Sequence, residues 1–199
     1  LASFNVTPYL NEKGSNTVSV EVYRNSDASF IEAQDMFRLP GIFRTVSLTS
    51  KPKIHVRDLI VIPDVVNGYK DGVLEISADV KNANKKLHKG FTLTYKLYEN
   101  TLYSDQVENL IATVVDEAGE SAKMGPQTIA FTTKHLKVSN VRLWSAEKPY
   151  RYTLVAELKD RKGKVIETVS THVGFRKVEI KDTKAEDDEF GLAGRYYYI

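Results

Sequence analysis

The sequence predicts an all-β protein whose main body is an immunoglobulin-like β-sandwich. Three observations carry this expectation. Apolar and polar residues alternate over short runs, the period-2 pattern of half-buried strands. Turn-forming clusters such as Asn25-Ser26-Asp27, Pro63-Asp64 and Asp160-Arg161-Lys162-Gly163 separate those runs. No stretch of any length holds the 3.6-residue period of an amphipathic helix.

Residues 1–50 come first. Phe4–Tyr9 reads as a strand stopped by Asn11 and Gly14. Thr17–Tyr23 reads as a second, with Val18, Val20 and Val22 on one face. Phe30–Leu48 (FIEAQDMFRLPGIFRTVSL) fits neither period. It is read as an ordered loop, because it packs Glu32, Asp35, Arg38, Arg44, the aromatics Phe30 and Phe37 and the Pro40-Gly41 turn into one short segment. Thr45–Ser50 closes as a third strand. Three strands with one buried face do not complete a sandwich. Residues 1–50 are therefore expected to be part of a domain whose other strands lie elsewhere, and the chain, which opens on Leu1, to be a piece of a longer protein.

Lys51-Pro52-Lys53 reads as a domain boundary. Ile54–Ile62 is the next strand, ended by Pro63-Asp64. Val73–Val80 turns Leu74, Ile76, Ala78 and Val80 inward, and Phe91–Tyr98 does the same with Phe91, Leu93, Tyr95 and Leu97. Leu110–Val115, a turn over 116–119 and Gln127–Thr133 follow. Tyr150–Leu158 buries Tyr152, Leu154, Ala156 and Leu158, and Val165–Val173 returns antiparallel after the Asp160–Gly163 turn. Seven such strands are the signature of an immunoglobulin-like sandwich. The Cys–Trp–Cys core of antibody domains is missing, since the chain has no Cys, and Trp144 falls in a loop. Residues 181–189 (KDTKAEDDE) read as a polar linker. Phe190–Ile199 ends in Tyr196-Tyr197-Tyr198 and reads as the first strand of a further domain.

Composition narrows the functional classes. With 28 Lys and Arg against 26 Asp and Glu, the net charge of +2 gives no field that would favour nucleic acid. No apolar run approaches the roughly 18 residues of a membrane span. Without Cys there is no disulfide, thiolate nucleophile or Cys-bound zinc. His55, His88, His135 and His172 show no metal-binding spacing, and no phosphate-binding or nucleophile-elbow motif occurs. Lys85-Lys86-Leu87-His88-Lys89 reads as a solvated hairpin tip. Glu32 and Asp35 are close enough in sequence to meet, but nothing sets their pKa values apart. Contact with a cation or sugar hydroxyls suits this pair better than acid–base catalysis. Trp144 could stack on a sugar; packing is the preferred reading.

Two stretches carry a resemblance. EAQDMFRLPGIFRTVSL (32–48) resembles a motif of the family 2 glycoside hydrolases in their β-galactosidase form. LWSAEKPYRYTLVAEL (143–158) with VIETVSTHVGFRKVEI (165–180) resembles the signature at the end of that family's immunoglobulin-like domain. The resemblance covers essentially the whole chain. It implies that residues 1–50 are the last strands of a jelly-roll sugar-binding domain, 51–180 the sandwich, and 181–199 a linker and the start of a TIM barrel. Both catalytic glutamates of the family belong to that barrel. The chain would then be a non-catalytic scaffold, inactive alone, of an enzyme of carbohydrate metabolism that hydrolyses terminal β-galactosides with retention.

The resemblance also assigns one site residue. Asp35, in Gln34-Asp35-Met36-Phe37, matches an aspartate that reaches the active site and helps bind sodium and the galactose. Phe37 stands where the family often has Trp. Arg44 and Gly174-Phe175-Arg176 match positions read as structural. The parent enzyme would use sodium and magnesium, with no cofactor held by this chain alone. Its partners would be the other domains and the β-galactoside, with no nucleic acid and no membrane. Uncovered strands in 1–50 point to homo-oligomers or strand exchange. The compartment stays open, a bacterial cytoplasm or periplasm being expected. Two alternatives remain: a stand-alone carbohydrate-binding or adhesion module, and a β-glucuronidase or β-mannosidase parent.

Overall fold

The alternating runs between residues 54 and 173 form the strands of a two-layer sandwich. The computed structural model describes residues 3–31, 39–104, 106–117, 123–183 and 194–198. The chain divides into two compact units, Leu1–Thr49 and Ser50–Ile199.

The strands of the second unit are β1 (Ile54–Val66), β2 (Asp71–Asn82), β3 (His88–Lys89), β4 (Thr92–Asn100), β5 (Val107–Asp116), β6 (Lys123–Met124), β7 (Ile129–Val138), β8 (Tyr152–Lys159), β9 (Val165–Val173), β10 (Glu179–Thr183) and β11 (Gly194–Tyr198). One sheet has the order β1-β2-β7 and the other β5-β4-β8-β9, all antiparallel. β3 pairs with β6, so His88 and Lys89 form a short bridge and not the tip itself; Lys85 to Leu87 are exposed.

The core follows the sequence pattern closely. Leu74, Ile76, Ala78 and Val80 of β2 meet Leu93, Tyr95 and Leu97 of β4 and Tyr152, Leu154, Ala156 and Leu158 of β8; each is at most 1% exposed. The β8–β9 turn also forms as expected. Asp160 Oδ1 accepts from Lys162 N at 2.8 Å and Lys164 N at 3.0 Å. Gly163 sits at φ +79, a conformation that favours glycine.

Three expectations need correction. First, β1 does not end at Pro63 but runs on to Val66, with Pro63 opposite Leu74. β1 is an edge strand, where alternate N–H groups point away from the sheet, so a missing donor is tolerated. Second, residues 181–183 belong to β10, which pairs with β11 (Glu179 opposite Tyr198). The aromatic segment finds a partner in its own chain.

Third, the described part of residues 3–50 contains no strand. Thr7–Tyr9 is a 3-10 turn with Pro8 in its first positions, and Asp27–Ile31 is a short helix. Pro8 fixes its own φ and lacks an N–H for a ladder. Thr17–Tyr23 and Thr45–Ser50 stay unpaired, and Val18, Val20 and Val22 remain 64%, 53% and 47% exposed. A lone run of alternating residues gains nothing from its apolar face without a second strand and a covering layer. The turn expected over 116–119 lies partly outside the described residues.

The topology fixes where the chain enters and leaves the sandwich. Ile54 begins β1 at one end, beside Asn82. The segment after β9 leaves at the other end, where Phe175 meets Tyr152 and Gly72. The eleven steps from Ile54 to Val65 span about 35 Å at roughly 3.3 Å per residue.

Candidate functional site

Asp35 and Glu32, the carboxylates singled out by sequence, lie outside the described residues. Among the described residues, no group of three or more His, Asp or Glu side chains could hold a metal ion. The described histidines make separate local contacts. His55 Nδ1 is 2.7 Å from Pro52 O, His135 Nε2 is 3.5 Å from Glu75 Oε2, and His172 Nδ1 is 3.4 Å from Thr153 Oγ1.

The most elaborately built feature is the corner through which the chain leaves the sandwich, Gly174-Phe175-Arg176. Phe175 is fully buried and meets the Tyr152 ring edge-on at 5.3 Å; Tyr152 in turn meets Tyr150 at 5.1 Å. Gly72 makes room for the phenyl ring, since a Cβ there would lie 2.4 Å from Phe175 Cε1 and 2.8 Å from Val141 Cγ1. Trp144 N donates to Phe175 O at 2.8 Å. The Trp144 ring lies against Gly174, where an added Cβ would come 3.3 Å from its Cδ1 and Cγ, and Arg176 holds its guanidinium 5.0 Å from the ring centre. Trp144 therefore packs within its own unit and is only partly exposed.

Further ties hold the corner on both flanks. Lys177 Nζ donates to Val65 O at 3.3 Å and lies 3.4 Å from Asp64 Oδ1. Tyr69 Oη, from the β1–β2 turn, donates to Glu179 Oε1. Behind the aromatic stack, Arg142 N donates to Tyr152 Oη at 2.7 Å and Arg142 Nη1 to Tyr150 Oη at 3.1 Å. Burial, the leading cause, pushes the Tyr152 phenol up to about 12. The stack thus stays neutral and in hydrogen-bonding form near neutral pH.

A groove of about 310 Å³ opens beside this stack, lined by Glu99, Ile111, Lys137, Ser139, Asn140 and Tyr152 among others. It offers one carboxylate. Glycoside hydrolysis by the usual route needs two across the sugar, so the groove does not supply that pair.

The pattern predicts the buried faces but not the corner's long-range partners. Tyr69 and Glu179 are 110 residues apart, and no local pattern joins them. Gly72 did leave a signal, because glycine inside a strand marks a close approach.

The strands define a two-layer β-sandwich, and comparison with known proteins gives its family. Residues 54–176 match the model for glycosyl hydrolases family 2. Residues 1–52 match the model for the family's sugar binding domain. The chain belongs to glycosyl hydrolases family 2.

The beta-galactosidase of Priestia megaterium is 42% identical over 181 residues, covering 91% of this chain and 16% of that protein. The beta-galactosidase of Clostridium acetobutylicum is 35% identical over 181 residues, covering 91% and 18%. The chain thus spans under a fifth of the length of these two relatives. In solved structures, Bacteroides uniformis beta-glucuronidase 2 superposes with a TM-score of 0.75 over 98% of this chain and 22% of its own, at 22% identity. That likeness is one of fold alone.

Proposed function

We propose that this chain is the non-catalytic scaffold of a β-galactosidase-type family 2 glycoside hydrolase, in which the sandwich acts as a rigid spacer. The corner at Phe175 carries this reading. A buried ring, a glycine that admits it, a Trp–Arg lid and a Lys tie fix the direction of the outgoing chain. A binding module has no need of such an exit; a spacer does. Sequence relatives that bear the name beta-galactosidase support the choice of sugar.

In this reading residues 1–50 are the last part of the jelly-roll sugar-binding domain, 51–180 the sandwich, and 181–199 the lead into a barrel that supplies both catalytic glutamates. Asp35 is the chain's one contact with the galactoside, aided by sodium in the assembled enzyme. Titration calorimetry of the purified chain with methyl β-galactoside tests the scaffold reading. No heat of binding at millimolar sugar is expected. Micromolar affinity would overturn it in favour of a carbohydrate-binding module.

A further inference from the structure

Backbone strain in the second unit gathers at one end. Among the described residues, five that are not glycine have positive φ: Asn67, Tyr69, Tyr103, Gln127 and Asn140. All but Gln127 lie at the exit end, in the β1–β2 turn, the β4–β5 turn and the segment after β7. Asparagine tolerates this region because its short side chain bonds locally. Tyrosine does not, and two are present, Tyr69 at φ +66 and Tyr103 at φ +63. Burial does not hold them there, since Tyr69 is 41% and Tyr103 72% exposed. Tyr103 is the third residue of the turn that Ser104 N closes on Thr101 O at 3.0 Å, a place where positive φ calls for glycine or asparagine. Tyr69 is the last of three left-handed residues spanned by the bond from Lys70 N to Val66 O at 3.2 Å.

Both hydroxyls reach the exit corner, one from each sheet. Tyr69 Oη donates to Glu179 Oε1 at the start of β10. Tyr103 Oη donates to Glu147 O at 2.5 Å, in the loop that follows Trp144. That loop is tied back to the tryptophan, because Trp144 bridges Pro149 and Ser145 N donates to Lys148 O at 3.0 Å.

We infer that Tyr69 and Tyr103 are strained latches, each held in an unfavourable backbone conformation so that its hydroxyl clamps one segment of the exit corner, β10 by Tyr69 and the 145–149 loop by Tyr103. Backbone strain persists where surrounding contacts over-determine it, and it gathers where geometry matters to function. The two turns project from separate sheets, so the corner is held across both layers. The importance of a fixed exit is taken from the scaffold reading; the latches themselves are tested without it.

Tyr103→Phe and Tyr69→Phe in the 199-residue chain keep the ring and remove the hydroxyl. Tyr103→Phe is expected to speed amide exchange at Ser145 by about three- to tenfold, as loss of one hydrogen bond allows. It should also open Trp144, the chain's single tryptophan, to acrylamide quenching. Tyr69→Phe should speed exchange along Glu179–Thr183 and leave Trp144 quenching unchanged. Core amides of β2 and β8 should respond to neither. Wild-type exchange and quenching in the two Phe variants overturn the latches. Tyr103→Gly also lacks the hydroxyl but suits a left-handed backbone, so it should need more urea to unfold than Tyr103→Phe. A Phe variant at least as stable as the Gly variant overturns the strain. Sugar binding by the chain, which sinks the scaffold reading, leaves all these outcomes as they are.

Discussion

Gly72 is the residue at which a single atom decides the packing. Alanine there places its Cβ 2.4 Å from a ring carbon of Phe175, well inside contact distance. The ring is fully buried and has nowhere to retreat. Gly72→Ala is expected to destabilise the sandwich by about 2–3 kcal/mol, as overpacked cores do, read as a lower midpoint in urea. Glu157 gives a pH-dependent counterpart. Hydrogen bonds from Lys96 (2.6 Å) and then Lys159 hold its carboxyl below the ordinary 4.5. The unfolded state therefore takes up that proton more readily than the native one. The stabilisation is present above about pH 4.5 and fades as pH falls through the lower native value. Glu157→Gln should make stability fall less steeply below pH 4.5; an unchanged acid limb in a urea–pH series would contradict this.

Strands with one dry face could be read from the sequence because a single period encodes both secondary structure and burial. The alternation at Leu74–Val80 and Tyr152–Leu158 gave the inward set residue for residue. The same pattern at Thr17–Tyr23 gave no strand, since alternation describes a strand only when a partner covers it. Pro63 misled for a related reason: its effect depends on whether the strand lies at an edge, which no local window reveals. The edge position also explains other features of β1. Lys51 Nζ occupies Val56 O at 2.8 Å and Lys177 Nζ occupies Val65 O at 3.3 Å, so side chains block the groups a second chain would use. Lys51→Ala combined with Pro63→Val should raise the fraction of dimer and larger species in light scattering, while Lys51→Arg should not.

Loops were less legible than strands, because side chains hold them from far away in sequence. Asn82 is fully buried, and its Nδ2 lies 3.0 Å from Lys86 O, 3.1 Å from Met124 O and 3.0 Å from Gly125 O. Nothing local marks this residue as the anchor of two connections at the entry end. Asn82→Ala leaves those carbonyls without their donor. It should cost about 3 kcal/mol and speed amide exchange at 83–87 and 123–128 before the core strands respond.

At the scale of the whole molecule, the sandwich receives the chain at Lys51–Lys53 and releases it at Gly174–Lys177, about 35 Å away along β1. That separation suits a spacer, and the buried Phe175 makes the exit direction part of the core and not of a loose linker. Asp35 lies outside the described residues. The role proposed for it rests on the resemblance of the Gln34-Asp35-Met36 segment. Hydrolysis of nitrophenyl β-galactoside by the purified 199-residue chain is the most direct test of the scaffold account. The account expects no turnover above the uncatalysed rate. Saturable hydrolysis that co-purifies with the chain and is lost in Asp35→Asn would contradict it, and would place the catalytic groups within residues 1–199.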